Sequence, residues 1–235
     1  MIEIKNKNIL AQINEEGAYV EKFTFSSKPV FFDKSRLPLG DSLKTRGGMH
    51  VCAPNFSDDD LLKELPSHGF GRDMIWEVVE KKEDSLRLKL WGKGSYEKVS
   101  FEIFYKLEED GLLAKLFIEN KSEGKVPLAP AFHPYFKTKF EELELLGHTI
   151  EKENLPDSIF IPAKDMSFRT KDMEIKILGN ENVGLYTIWT DFLADYICIE
   201  PTYNGKSFLD KDLSPYYLEK GQSFIQEFKI IIKNL

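Results

Sequence analysis

A chain of 235 residues with a net charge of −7 makes a poor partner for nucleic acid or for an anionic membrane surface. Hydrophobic residues make up 42 % of it, so a folded globular protein is expected rather than a disordered chain. No apolar run approaches the ~20 residues that span a bilayer, and the opening Met1-Ile2-Glu3-Ile4-Lys5 lacks the pattern of a signal peptide, so a cytoplasmic protein is expected.

No linker, charge block or internal repeat interrupts the chain, so residues 1–235 are expected to form one domain. The first segment with chemistry in it is Lys44–Pro54, which holds Arg46, Gly47-Gly48, His50 and Cys52. It is no nucleotide loop, because no strand–GxGxxG–helix context surrounds the glycines. Next, Ser57-Asp58-Asp59-Asp60-Leu61-Leu62-Lys63-Glu64-Leu65 reads as a helix of one or two turns. Ser57 can cap it, and the acids suit the positive end of its dipole. Pro66–Val78 follows and gathers His68, Arg72 and Trp76 around two glycines. Arg72 is a rigid fork of donors suited to vicinal hydroxyls or a phosphate. Its plainer reading is a surface arginine paired with Asp73.

Period-2 patterning then takes over. Leu86, Leu88 and Leu90 alternate with Arg87 and Lys89. Val99, Phe101, Ile103, Tyr105 and Leu107 share one strand face, opposite Ser100, Glu102 and Lys106. Glu109-Asp110-Gly111 supplies turn chemistry before Leu112–Asn120 alternates again, which predicts a hairpin. Further strands are expected near Met173–Leu178, Leu185–Trp189, Tyr196–Glu200 and Phe224–Ile232. Many short strands and poor helix signals imply an all-β, antiparallel sandwich or barrel, and a large sandwich suits strands apolar on both faces.

Two residues stand out as an acid and a base. His133 lies in Ala131-Phe132-His133-Pro134-Tyr135-Phe136, where Tyr135 and Phe136 offer flat apolar faces to a sugar ring. Glu200 ends the run Tyr196-Ile197-Cys198-Ile199, with Tyr196, Cys198 and Glu200 on one face and the isoleucines on the other. Pro201, without an N–H, is expected to end the ladder. The bland readings are a core histidine and a salt-bridged glutamate. Cys52 and Cys198 make no disulfide framework and read as two buried thiols. The four histidines show neither i, i+4 nor H-x-H spacing, so no metal is expected. No serine sits in a G-x-S-x-G elbow.

Taken together, four segments resemble the aldose 1-epimerase (galactose mutarotase-like) superfamily. Arg46-Gly47-Gly48 with Cys52-Ala53-Pro54 resembles the R-G-G…C-x-P segment of the branch that includes hexose-6-phosphate 1-epimerases. His68-Gly69-Phe70-Gly71-Arg72 with Trp76-Glu77-Val78 is similar to H-G-F-A-R…W-E-V, with Gly71 for the commoner alanine. Phe132-His133-Pro134-Tyr135-Phe136 and Ile199-Glu200-Pro201 resemble the histidine and glutamate motifs, and Leu218–Phe224 the closing turn and strand. The resemblance implies a β-supersandwich and 1-epimerisation of an aldose without a cofactor. His133 would be the general acid and Glu200 the general base, with Arg46, His68 and Arg72 around the sugar or its phosphate. The carboxylate is expected to favour a protonated His133. Members also use a sugar-binding aspartate, for which Asp157 and Asp172 are the possible counterparts.

Ser67 stands where the phosphosugar branch often has glutamine, which tilts the expectation toward a free hexose rather than glucose 6-phosphate. The rival from another class is a non-catalytic carbohydrate-binding sandwich, with Trp76, Tyr135 and Trp189 as its platform. The expected partner is a small sugar or sugar phosphate, and the protein a monomer or homodimer.

Overall fold

A computed structural model describes residues 1–205, 208 and 214–235. Two antiparallel sheets are stacked face to face. The first runs, in spatial order, through the strands Ile2–Lys5, Ile9–Asn14, Tyr19–Phe25, Met49–Cys52, Ala131–Lys137, Tyr196–Thr202, Leu185–Trp189 and Ile159–Pro162, with the short Lys28–Pro29 strand beside Tyr19–Phe25. The second runs Glu144–Leu145, Asp165–Arg169, Met173–Gly179, Ser223–Asn234, Gly111–Asn120, Val99–Glu108, Ser85–Trp91 and Glu77–Lys81. The helices among the described residues are short 3₁₀ turns, and none is long and apolar enough to cross a membrane.

Alternation in the sequence decides which side chains meet between the sheets. The expected hairpin forms with a two-residue turn at Glu109-Asp110, pairing Leu107 with Leu112 and Glu108 with Gly111. Its Phe101, Ile103, Tyr105, Leu112, Ala114, Leu116 and Ile118 face the core from the second sheet. From the first sheet come Val20, Phe23, Met49, Val51, Phe132, Phe136, Tyr186, Ile188, Ile197 and Ile199. The layers interlock at Phe132–Phe228 and Phe136–Phe168, whose ring centroids are 5.0 and 4.8 Å apart, in edge-on arrangements favoured by the ring quadrupole. The Tyr105 hydroxyl crosses the layer and donates to the Ala18 carbonyl at 2.9 Å.

Two local expectations fail. Ser57–Leu65 is not a helix. The Asp59 carboxylate accepts the backbone N–H groups of Leu61, Leu62, Glu64 and Leu65 at 2.7–3.2 Å. A side chain that satisfies four donors outcompetes the helical ladder, the usual weakness of aspartate near helix starts. Pro201 does not end its strand either: pairing continues to Thr202, opposite Leu185 and Ala131. One missing N–H removes one potential bond and leaves the flanking pairs intact.

Candidate functional site

The outer face of the first sheet carries the other half of the alternation. Along Met49–Cys52, Met49 and Val51 face the core, so His50 and Cys52 face outward. Along Ala131–Lys137 the outward residues are His133 and Tyr135, and along Tyr196–Thr202 they are Tyr196, Cys198 and Glu200. Register then aligns them. His133 pairs with His50. Ala131 opposite Thr202 and Tyr135 opposite Cys198 set His133 across from Glu200. Glu200 in turn pairs with Thr187. A single row across four central strands therefore reads His50, His133, Glu200, Thr187.

This row is the floor of a cleft of about 690 Å³, within the size range of small-molecule sites. Arg46, His68 and Arg72 line the same cleft, so all five sequence-expected site residues meet there. Tyr19, Lys34, His50, Ser57 and Thr187 also line it and were not marked as site residues by sequence reasoning, and Trp189, expected as part of an aromatic platform, lines it too. Tyr135 lines it too, with its ring stacked on His133 at 4.7 Å. Phe136 instead points into the core, and Trp76 is buried there with its indole N–H on the Gly71 carbonyl. Two of the aromatics expected to offer a platform to a sugar are thus structural.

Asp172 belongs elsewhere, on the rim of a separate hollow where it faces Lys28 at 3.6 Å. Asp157 is exposed at the end of a 3₁₀ turn, one residue before the cleft-lining Ser158. The aspartate that does organise the site is Asp191. Its carboxylate pairs with Arg46 Nε at 2.8 Å and accepts the Tyr196 hydroxyl, and Arg46 lies over the Trp189 ring at 5.3 Å. Arg46 is thereby fixed by Asp191.

His68 sits in a loop pinned to the Ala53 backbone, with a left-handed φ of 65°. Such a conformation costs of order 1–3 kcal/mol and is held by its surroundings. Gly69 is what allows that approach: its φ is 67°, and an added Cβ would lie 2.1 Å from the Ala53 carbonyl oxygen. Gly69→Ala is expected to lower stability by about 1–3 kcal/mol in thermal melts. Gly124→Ala, with nothing within 4 Å, should change little.

Buried polar atoms without hydrogen-bond partners gather at this cleft. They include both ring nitrogens of His50, His133 Nδ1, Glu200 Oε2, Thr187 Oγ1, Arg72 Nε and Ser57 Oγ. Native interiors rarely leave such groups unpaired, so a cluster of them facing one space marks where a polar ligand supplies the partners. His133 Nε2 and Glu200 Oε2 are 3.6 Å apart, too far for a hydrogen bond and close enough to address two oxygens on one carbon.

The charge state differs from the expected imidazolium–carboxylate pair. Burial pushes Glu200 well above the usual carboxylate range. Burial holds His133 well below the usual histidine range, reinforced by His50, His68, Arg72 and Arg46. Desolvation of two charges outweighs their mutual attraction. Burial therefore favours a proton on Glu200 over one on His133.

The sequence profile of the aldose 1-epimerase family matches residues 1–174, which include Arg46, His68, Arg72 and His133 and end before Glu200. No curated protein matches the sequence. Among solved structures, Slr1438 from Synechocystis sp. PCC 6803 superposes with a TM-score of 0.82 at 18 % identity, over 100 % of this chain and 96 % of that one. A galactose mutarotase related enzyme from Lactobacillus acidophilus gives 0.81 at 16 % identity, over 99 % and 97 %. A galactose mutarotase-like protein from Lactobacillus casei ATCC 334 gives 0.79 at 16 %, over 99 % and 100 %. These likenesses show the fold.

Proposed function

The chain belongs to the aldose 1-epimerase family, and from that premise we propose that it interconverts the α and β anomers of a free hexose by acid–base opening of the sugar ring. The observation that carries this reading is the His133–Glu200 pair, buried side by side on the cleft floor with unpartnered atoms. In the ring-opening direction Glu200 takes the proton of the C1 hydroxyl and His133 gives one to the ring oxygen as the C1–O5 bond breaks. The open aldehyde turns about C1–C2, and the reverse transfers close the other anomer. Opening leaves Glu200 protonated and His133 neutral, which is the arrangement burial favours.

A free hexose is favoured over a phosphosugar by the cations. Lys34 faces Glu21 at 2.8 Å, Arg46 faces Asp191 at 2.8 Å and Arg72 faces Asp73 at 3.6 Å. Lys34 and Arg46 thus already have a carboxylate within hydrogen-bond distance, whereas a phosphate dianion calls for uncompensated positive charge. The test is the rate of anomer exchange, by polarimetry for α-D-glucose and α-D-galactose and by NMR exchange for glucose 6-phosphate. Faster exchange of a free hexose is expected. A preference for the phosphosugar, with a KM raised by Arg72→Ala, would replace the free hexose with its 6-phosphate. Saturable sugar binding without acceleration would make the protein a carbohydrate-binding sandwich.

A further inference from the structure

We propose that His50 is a positioning residue for ring opening: the face of its imidazole holds the His133 ring at the angle that aims Nε2 at the sugar's ring oxygen. This role rests on the acid–base reading of His133 and Glu200 given above. A histidine that must deliver a proton is usually oriented by a hydrogen bond to its second nitrogen. His133 has no such bond. Its Nδ1 is buried without a partner, and its Nε2 lies 3.6 Å from Glu200, beyond hydrogen-bond reach. The outer torsion of an imidazole is broad and roughly two-fold, so the strand alone does not set the plane of the ring.

Neighbouring rings set it instead. His50 and His133 pair directly across adjacent strands, which brings their side chains together. Their ring centroids are 4.8 Å apart and their planes differ by 25°. Tyr135 also lies nearly parallel to His133, at 4.7 Å and 12°. Tyr135 belongs to the same strand as His133 and moves with it. His50 belongs to Met49–Cys52 and so ties the ring to a second strand.

His50 is itself braced. Tyr19, from the strand beyond, stacks on it at 5.3 Å and 28°. The Tyr19 hydroxyl donates to the Gly47 carbonyl at 2.7 Å, and the Lys34 ammonium covers the Tyr19 ring at 4.1 Å. Rings on three neighbouring strands thus form a row, Tyr19, His50, His133, that ends at the proton donor and is anchored at its far end. Neither nitrogen of His50 bonds to the protein, and the residue is 3 % exposed. What His50 gives His133 is therefore its flat face. A displacement of about 1 Å at a reacting group can cost ~10²-fold, so a loosened His133 shows in turnover. A residue that only touched the sugar would show in KM.

The experiment measures kcat and KM for anomer exchange by polarimetry, on the free hexose that the parent exchanges fastest, together with crystal structures of the parent and the variants. His50→Ala removes the ring and should lower kcat by about 10–10²-fold with KM nearly unchanged. His50→Phe keeps a flat ring without nitrogens and should recover most of that loss. In the His50→Ala crystal His133 should turn about its outer torsion or divide between two settings. In His50→Phe it should hold the parental one.

A folded His50→Ala that keeps the parental kcat, or loses only in KM, overturns the proposal. So does a folded His50→Phe as slow as His50→Ala, which would assign the effect to the nitrogens. Should His50→Ala fail to fold, His50→Leu keeps the bulk without the flat face and is read in the same way. A parent that accelerates no hexose removes the acid–base reading and this role with it. An active parent whose His133 stays in place in His50→Ala overturns the positioning role alone.

Discussion

Glu200→Gln should cut the rate of anomer exchange by roughly 10²–10⁴-fold, the usual worth of a positioned acid–base group, while making the protein more stable. The two effects have one cause. Glu200 is 1 % exposed and its Oε2 has no hydrogen-bond partner, so its ionised form is penalised by burial in the folded state and free in the unfolded one. The folded pKa is raised, so the native state holds a proton that the unfolded state has released. Stability conferred by that proton is complete below the unfolded value of 4.5 and declines as pH rises toward the folded pKa.

Glutamine does not titrate. Its advantage should be near zero around pH 4 and grow to about 1–3 kcal/mol toward pH 8, the scale of an unsatisfied buried polar group. Thermal melts of both proteins across this range, read beside polarimetry, test both halves. A folded glutamine variant that keeps its rate removes Glu200 from the chemistry. One that is less stable than the parent at pH 8 refutes the burial argument. His133→Asn should lose activity on the same scale.

What the sequence made legible follows from locality. The strands announced themselves because their apolar periods are written in consecutive residues. Leu185–Trp189 forms at its expected bounds, and the hairpin at Glu109-Asp110 turns where its residues say. The segment resemblance also pointed to residues that the fold brings together in one cleft. What stayed hidden is non-local. His50 looked like an ordinary strand residue until pairing set it beside His133. The grip of Asp191 on Arg46 spans 145 positions in sequence. The proton arrangement is non-local for a related reason: a carboxylate beside a histidine favours the charged pair in water, and the burial of both works against it.

That effect of burial makes the pH profile of turnover the sharpest test of the site. Ring opening needs one proton on the pair, and it proceeds from the form that carries it on His133 with Glu200 ionised. With ordinary values of 6.5 for histidine and 4.5 for glutamate, the one-proton state would be the charged pair. It would dominate only between those two values, and turnover would peak near pH 5.5 and fall through neutrality. In the buried site the two shifts work against that order: His133 is held well below 6.5 and Glu200 well above 4.5. Burial thus favours the one-proton form with protonated glutamate and neutral histidine. The kcat/KM profile, which reports the free enzyme, is expected to extend beyond the window between 4.5 and 6.5. Its acid limb belongs to the pair gaining a proton at His133, and its alkaline limb to the pair losing the proton held by Glu200. The two apparent values belong to the coupled pair rather than to either residue alone. A narrow optimum between pH 4.5 and 6.5 would show that the pair is solvated and charged, and would return His133 to the imidazolium that its sequence neighbourhood suggests.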